Sequence, residues 1–196
     1  RKVKFFDTYK ADKEIVIPSY YVIPKSEGKI IENLKRNQIK FKELQSDSLI
    51  TVESYKIVDF KTVKNPYEGH YLHFDTQVSS ELKTKKFRKG DYLVSTKQSG
   101  VKFLLETLEP EAVDSYFNWN EFDGILGQKE YFSDYVFEDT AAELLKTNKA
   151  LKTAFELKKA SDAKFSEDGA AQLDWVYKNS EYYEGTVNQY PIYRIR

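Results

Sequence analysis

Apolar and polar residues alternate through much of the first hundred positions, and this pattern predicts β-strands interrupted by one short helix. Residues 15–23 are an extended segment that Pro18 and Pro24 restrict to a sheet edge or a strand end. Residues 27–37 have the spacing of a helix, because their apolar side chains recur once per turn. Residues 38–44 alternate again, so the N-terminal part is predicted to form a βαβ-like unit.

Two long strands and a shorter one are predicted in the middle of the chain. Residues 49–60 are strand-like, but their apolar side chains change from one parity to the other, which indicates a bulge. A turn at residues 65–69 is followed by residues 70–82, which alternate cleanly. The face expected to be buried holds Leu72, Phe74, Val78 and Leu82, and the solvated face holds His73, Asp75, Gln77 and Glu81. Residues 91–96 predict a further strand, so we expect this part of the sheet to be antiparallel.

Helical periodicity dominates the second half. Apolar side chains between residues 101 and 108 recur at i, i+3, i+4 and i+7, and Pro110 ends this helix. Asp114 is placed to cap a second helix that extends to Leu126. Three more helices are predicted around Ala141, Leu151 and Leu173.

Together these elements predict an α+β fold. A βαβ-like N-terminal unit and antiparallel strands form a sheet layer, packed with about five C-terminal helices. We expect residues 1–196 to be a single domain, because no repeat or linker divides them. Residues 1–98 are expected to be mostly strands with one helix, and residues 99–196 mostly helical.

The composition is that of a folded domain, and it excludes several kinds of chemistry. The 196 residues are 40% hydrophobic and include 15 Tyr and 13 Phe, enough to bury a substantial core. The chain has no cysteine, which excludes disulfides, thiolate nucleophiles and zinc–thiolate clusters formed by its own residues. It opens with Arg1 and not with Met, so we expect it to be a piece of a longer protein.

The net charge of zero conceals an uneven distribution. Residues 1–100 carry 20 Lys and Arg against 13 Asp and Glu, so the acidic second half is expected to attract the basic first half. The densest basic run, residues 83–89, contains one aromatic residue, whereas single-strand nucleic-acid binders interleave several with the charges. We therefore predict a solvated hairpin end there and no nucleic-acid partner. The sequence has no run of 18 apolar residues, so no membrane span is predicted.

The two histidines, His70 and His73, have the His-x-x-His spacing of some metal sites. On a helix both rings would share one face, but in a strand they point to opposite faces, and no third His or Cys completes a tetrahedral site. We therefore predict no metal ligand in this chain. His73 shares its strand face with Asp75, where a solvated surface pair is the simpler interpretation and an acid/base dyad the alternative.

Four carboxylates surround Pro110, and they are Glu106, Glu109, Glu111 and Asp114. Paired carboxylates support general acid/base catalysis where burial separates their pKa values. Such residues also favour helix starts and solvated turns, and we prefer this structural interpretation. The aromatic residues Trp119, Trp175, Tyr182 and Tyr183 are interpreted as core or interface residues and not as a ligand platform.

Four stretches of the chain together resemble a known family. They are residues 66–70 (Pro-Tyr-Glu-Gly-His), 105–119 (Leu-Glu-Thr-Leu-Glu-Pro-Glu-Ala-Val-Asp-Ser-Tyr-Phe-Asn-Trp), 128–136 (Gln-Lys-Glu-Tyr-Phe-Ser-Asp-Tyr-Val) and 188–194 (Asn-Gln-Tyr-Pro-Ile-Tyr-Arg). In order and spacing they are similar to the C-terminal region of large bacterial zinc carboxypeptidases. These are carboxypeptidase A-like metallopeptidases, in which an N-terminal catalytic domain precedes such a region.

The resemblance implies a parent enzyme that hydrolyses C-terminal peptide bonds in a secreted or periplasmic location. That family binds zinc with a His-x-x-Glu motif and a distant His, uses a Glu base, and holds the substrate carboxylate with Arg residues. This chain departs from the motif, because His70 is followed three residues on by His73, and His73 by Thr76. No catalytic or zinc-binding residue is transferred to it, and zinc is expected only in the catalytic domain of the parent.

The leading hypothesis is a non-catalytic C-terminal accessory domain that packs on the parent's own catalytic domain or helps to bind peptide or cell-wall substrate. The candidate binding residues, which lie in the resembling stretches, are Glu68, His70, Asp114, Trp119, Glu130 and Tyr131. One alternative is an independent hydrolase that uses the acidic cluster around Pro110. The other is a protein-association module that uses a sheet edge.

Overall fold

The computed structural model describes residues 3–5, 7–8, 13–129, 131–183 and 185–196. Over these residues the chain has one six-stranded antiparallel sheet and six α-helices, which confirms the predicted α+β fold class. The strands are β1 (Tyr20–Ile23), β2 (Lys42–Glu43), β3 (Ser48–Thr62), β4 (His73–Phe87), β5 (Tyr92–Ser95) and β6 (Gln189–Ile195). The helices are α1 (Gly28–Arg36), α2 (Val101–Leu108), α3 (Asp134–Thr147), α4 (Lys149–Ser161), α5 (Ala163–Glu167) and α6 (Gly169–Lys178).

The chain forms two compact units. The first unit comprises the N-terminal part up to Asp123 together with Gln189–Arg196, and it contains the sheet with α1 and α2. The second unit comprises Gly124–Asn188 and contains α3 to α6. The second unit is therefore an insertion between a loop of the first unit and the strand β6.

The sheet has the strand order β2-β5-β1-β6-β3-β4. Both β1 and β2 pair antiparallel with β5, so they run parallel to each other with β5 between them. The predicted βαβ-like unit is therefore a split one, in which α1 makes the connection. Ile30, Ile31 and Leu34, the apolar residues of α1, are buried as their spacing indicates.

β3 is covered on both faces at its centre, which explains the change of parity in the sequence. Residues 52–55 are all buried, so successive side chains are buried on alternate faces of the sheet. Val52 packs with Phe87 and Tyr193. The predicted bulge is not found at this change of parity, because β3 keeps one register with β4 from Ser48 to Ile57. The shift between Ser54 and Lys56 in the pairing with β6 places the extra residues in β6.

The expected faces of β4 are wrong at several positions. His73 is only 7% exposed, whereas Phe74 is 41% and Leu82 is 68% exposed. Asp75 has a positive φ of 53°, and the register with β3 shifts between Asp59 and Lys61. This irregularity adds a residue to β4, so His73 and Thr76 are both buried although their spacing is three.

The loop after α2 replaces the helix that was expected to start at Asp114. Residues 111–122 form turns, followed by a short 3₁₀ helix at Asp123–Ile125. Side chains bond to the backbone here: Ser115 Oγ donates to the Pro110 carbonyl, and Asn118 Nδ2 donates to the Ala112 carbonyl. Such local bonds compete with helix formation, which is why the apolar periodicity does not produce a helix.

The second unit is held together by its own apolar core. The buried residues are Phe137, Ala141, Leu151, Phe155, Phe165, Val176 and Tyr177, and Trp175 packs against them as a core aromatic, in agreement with the sequence interpretation. The N-cap residues of α4, α5 and α6 are Asn148, Asp162 and Asp168, and the side chain of each accepts a backbone N–H three residues on. The helix predicted around Leu173 is therefore α6, which follows its cap residue Asp168 and is separate from α5.

Candidate functional site

A cleft of about 470 Å³ lies in the first unit, within the range of small-ligand sites. β4 contributes Phe74 and Val78 to its walls, and α2 contributes Leu105 and Glu106. The loop after α2 contributes residues 109–113, and the other lining residues are Lys13, Ile15, Tyr55, His73, Asp75 and Asn118. The acidic cluster found in the sequence thus lies largely along this cleft.

Three buried polar residues form a row across the middle of the sheet, next to the cleft. β6 lies between β1 and β3, and Arg194 of β6 is directly opposite Tyr21 on one side and Glu53 on the other. Each of the three is at least nine-tenths buried. We call Tyr21, Arg194 and Glu53 the central row. A buried charge is stable only when it is paired, so the contacts of the arginine decide what the row can do.

Arg194 compensates two carboxylates at once. Its Nη1 donates to Glu53 Oε2 at 2.8 Å, and its Nε lies 3.1 Å from Glu109 Oε1. The guanidinium also donates to the Tyr55 hydroxyl and to the Val16 carbonyl. Arg196 contacts Glu53 from the more exposed side. The central row and Glu109 therefore connect β1, β3 and β6 to the loop after α2.

Glu109 is the member of this network that lines the cleft. The Tyr21 hydroxyl donates to its Oε1 at 2.5 Å. Burial raises the pKa of the Glu109 carboxyl, although the Tyr21 hydroxyl and the Arg194 charge act in the opposite direction. Burial also raises the pKa of Tyr21, and the neighbouring Glu109 charge adds to this increase. Glu109 is thus a carboxyl group able to hold a proton at higher pH than an ordinary glutamate.

The other residues of the acidic cluster are nearer the surface. Glu111 is half-buried and lies 3.4 Å from Lys13 Nζ, while Glu106 and Asp114 are exposed. Glu109 is thus the buried member of the acidic cluster, and the other three carboxylates are more exposed. The sequence spacing alone does not show this difference.

His73 is a buried residue and not the surface residue that its strand position predicts. Its Nδ1 lies 2.9 Å from Thr62 Oγ1, and its Nε2 lies 3.0 Å from Asp123 Oδ1. The ring packs on Phe60 and Phe117, with centroid distances of 4.5 and 5.0 Å. The predicted partner, Asp75, instead pairs with Lys61 at 2.7 Å, so the His73–Asp75 pair is wrong.

Three of the six candidate binding residues meet at one surface turn. Tyr67 and His70 exchange backbone hydrogen bonds of 2.9 Å, with Glu68 and Gly69 between them at φ values of 47° and 83°. Positive φ at both central residues is typical of a type I′ turn. The His70 ring lies 5.6 Å from Trp119, and the Tyr67 ring lies 6.3 Å from Trp119. We call Tyr67, His70, Tyr71 and Trp119 the aromatic turn.

The remaining candidates are not part of the aromatic turn. Asp114 is exposed in the loop after α2, where it caps no helix. Tyr131 is exposed in the second unit. Glu130 lies outside the described residues.

Sequence reasoning missed the central row. Arg194 follows three apolar or aromatic positions in β6, and Glu53 follows Val52 in a strand of high apolar content. A single charge inside an apolar strand is the signal that could have identified these residues, because a buried charge needs a partner elsewhere in the fold.

The described residues form no recognisable metal centre, and the chain has no identified relative. Within the described ranges, no group of three or more His, Asp or Glu side chains is arranged to hold a metal ion. The helices of the described part are too short or too polar to cross a membrane. No protein-family model matches the chain, and neither a curated protein nor a solved structure matches it significantly.

Proposed function

We propose that this chain is a non-catalytic accessory region of a bacterial zinc carboxypeptidase, and that the aromatic turn packs on the catalytic domain of that enzyme. One observation carries the proposal. Two of the stretches that resemble the family, residues 66–70 and 105–119, are distant in sequence, yet His70 and Trp119 from them lie 5.6 Å apart at one surface.

The aromatic turn has the chemistry of a protein interface. Tyr67 and Tyr71 are more than half exposed, and tyrosine and tryptophan are enriched where proteins bind each other. Glu68 holds a left-handed backbone conformation that is rare for a residue other than glycine. Residues in such conformations cluster at functional turns, where the surrounding structure keeps them in place.

The histidine contacts support an accessory role over a catalytic one. His73 engages Thr62 and Asp123 through its two ring nitrogens and is buried between aromatic rings. Its partner in the His-x-x-His spacing, His70, lies in the aromatic turn. In the proposal, zinc and the peptidase activity belong to the catalytic domain, in a secreted or periplasmic enzyme.

The first test is the gene that encodes this chain. A His-x-x-Glu motif with a later His, encoded upstream of Arg1, is expected. A gene product with no such motif would reject the proposal.

The second test uses the whole enzyme encoded by that gene. Tyr67→Ser and Trp119→Ala are each expected to lower kcat/KM for peptide hydrolysis, because they remove interface aromatics. Tyr135→Ala changes an exposed aromatic of the second unit and is the matched control, with kinetics like wild type. Unchanged kinetics for Tyr67→Ser in a protein with a normal melting temperature would contradict the packing role.

A second candidate function is a metal-independent hydrolase, and one observation favours it. Glu109, whose pKa is raised by burial, lines the same cleft as Glu106 and Glu111. Carboxyl groups with separated pKa values are able to divide acid and base roles. The purified 196-residue chain should then hydrolyse peptides or glycosides without zinc, and Glu109→Gln should abolish this activity. Absence of turnover with both substrate classes would reject it.

A further inference from the structure

We propose that the cleft of the first unit binds the side chain of a basic residue, above all lysine, in an extended peptide. This inference does not depend on the accessory role proposed above, because it concerns binding by the 196-residue chain alone. It rests on the apolar residues that line the cleft, on the charged residues among them, and on a lysine of this chain that already lies there.

The walls of the cleft suit the aliphatic part of a lysine side chain. Phe74 and Val78 of β4, Leu105 of α2, and Pro110 and Val113 of the following loop give it an apolar lining. Lysine buries its methylene groups along apolar surfaces while its ammonium group stays near polar partners. A cleft lined by both apolar side chains and carboxylates suits both parts of a lysine side chain.

The charged residues that line the cleft favour a cation. Asp75 is neutralised by Lys61 at 2.7 Å, and Glu109 is paired with Arg194. Glu106 is different, because its carboxylate forms no ion pair or hydrogen bond with any residue that the structure describes. An incoming ammonium group would gain a partner there, whereas an anionic side chain would be repelled.

Lys13 shows how an ammonium group is held at this position. Its Nζ donates to the buried Thr76 carbonyl at 3.2 Å and lies 3.4 Å from Glu111 Oε1. The ammonium group of Lys13, a lining residue of the cleft, therefore has a backbone carbonyl and a carboxylate as partners. The Lys13 side chain is about half exposed, so this contact is open to exchange with a peptide lysine. Lys13 should consequently compete with the ligand.

Calorimetric titration with three blocked pentapeptides tests the proposal. Each has the form acetyl-Ala-Ala-X-Ala-Ala-amide, where X is lysine, norleucine or glutamate. The lysine peptide is expected to bind about ten-fold more tightly than the norleucine peptide, as a hydrogen bond to a charged group allows. Equal binding of the lysine and norleucine peptides would show that the site is apolar only. Tighter binding of the glutamate peptide would show that the site prefers anions. No binding would show that the cleft does not bind these peptides. Each of these results overturns the proposal.

Variants of the 196-residue chain test which residues of the cleft determine the affinity for the lysine peptide. The double variant Glu106→Gln and Glu111→Gln is expected to weaken binding of the lysine peptide about ten-fold. Lys13→Met should strengthen it several-fold, because the competing ammonium group is removed while the aliphatic part stays. Glu156→Gln, an exposed acid of α4, is the control for removal of an acidic side chain outside the cleft. Weaker or unchanged binding by Lys13→Met would contradict the proposed competition, and circular dichroism verifies that each variant is folded.

Discussion

Arg194 lies directly opposite Glu53 in the antiparallel register of β6 and β3, and its Nη1 donates to Glu53 Oε2 at 2.8 Å. The same guanidinium lies 3.1 Å from Glu109 Oε1, so one buried cation compensates two buried carboxylates. Arg196 offers Glu53 a further partner, whereas Arg194 is the only cation that forms an ion pair with Glu109 among the described residues. Loss of Arg194 should therefore affect Glu109 most.

Arg194→Met is expected to lower the free energy of unfolding by about 3–5 kcal/mol, because it leaves buried carboxylates without their partner. Urea unfolding followed by circular dichroism measures this change. Lys178→Met is the control, since Lys178 pairs with Asp174 at 2.8 Å on the surface. Exposed pairs contribute about 1 kcal/mol or less, so the control should change little. Similar losses for the two variants would contradict the role assigned to Arg194.

Glu53 and Glu109 are expected to give stability opposite dependences on pH. Burial raises the pKa of Glu53, but the Arg196 hydrogen bond and the charges of Arg194 and Arg196 outweigh burial and lower this pKa below 4.5. Burial raises the pKa of Glu109 above 4.5. A lowered pKa in the folded state gives stability that is lost as the pH falls through that pKa. A raised one gives stability that is lost as the pH rises through it.

Glu53→Gln and Glu109→Gln remove these two titrations separately. The stability advantage of wild type over Glu53→Gln should decrease as the pH falls below 4.5. Its advantage over Glu109→Gln should instead decrease as the pH rises above 4.5. Free energies of unfolding measured across this range check both, with Glu156→Gln as the control for charge loss. Parallel pH profiles for the two variants would show that the network does not shift the pKa values of Glu53 and Glu109 in opposite directions.

The fold could be predicted from sequence where local periodicity decides it. α1 begins and ends close to the predicted positions because its buried residues recur once per turn. The helix expected at Asp114 does not form, because Ser115 and Asn118 hydrogen-bond to the nearby backbone and replace helical bonds. The periodicity of a sequence shows which side chains are apolar. It does not show where polar side chains compete with the helix for backbone hydrogen bonds.

The site was less predictable because it depends on contacts between distant parts of the chain. Arg194 and Glu53 are separated by 141 positions in sequence and meet only through the order of the strands. His73 was assigned to the wrong face, because the irregularity at Asp75 adds one residue and reverses the alternation. The meeting of His70 with Trp119 likewise needs the turn geometry, although both residues were candidates from the sequence.

The two histidines are expected to differ strongly in their effect on stability. His73→Ala removes a ring that packs on Phe60 and Phe117 and leaves Thr62 without its partner, which should cost about 2–4 kcal/mol. His70→Ala removes a ring at the surface and should cost less than about 1 kcal/mol. Denaturant unfolding of the two variants measures the difference. A small effect for both would mean that His73 is solvated, as the simple alternation predicts.

Two glycines offer a test of the backbone conformations that shape the aromatic turn. Gly69 has a φ of 83°, which residues with a Cβ adopt at a cost, whereas Gly28 begins α1 and a Cβ there would meet no atom within 4 Å. Gly69→Ala should therefore lower the free energy of unfolding by about 1 kcal/mol or more. Gly28→Ala should raise it by about 0.4–1 kcal/mol, because it restricts the unfolded chain at a position where the folded helix accepts alanine.

The two substitutions add the same methyl group, so the change in hydrophobicity is matched and only the backbone conformation differs. Urea unfolding measures both free energies, and opposite signs are expected. If the turn is also the interface proposed above, Gly69→Ala should lower the peptidase activity of the whole enzyme, and Gly28→Ala should leave it unchanged. Equal effects of the two variants on stability would show that residues 67–70 do not hold the left-handed turn in solution, and the aromatic turn would then lose its fixed geometry.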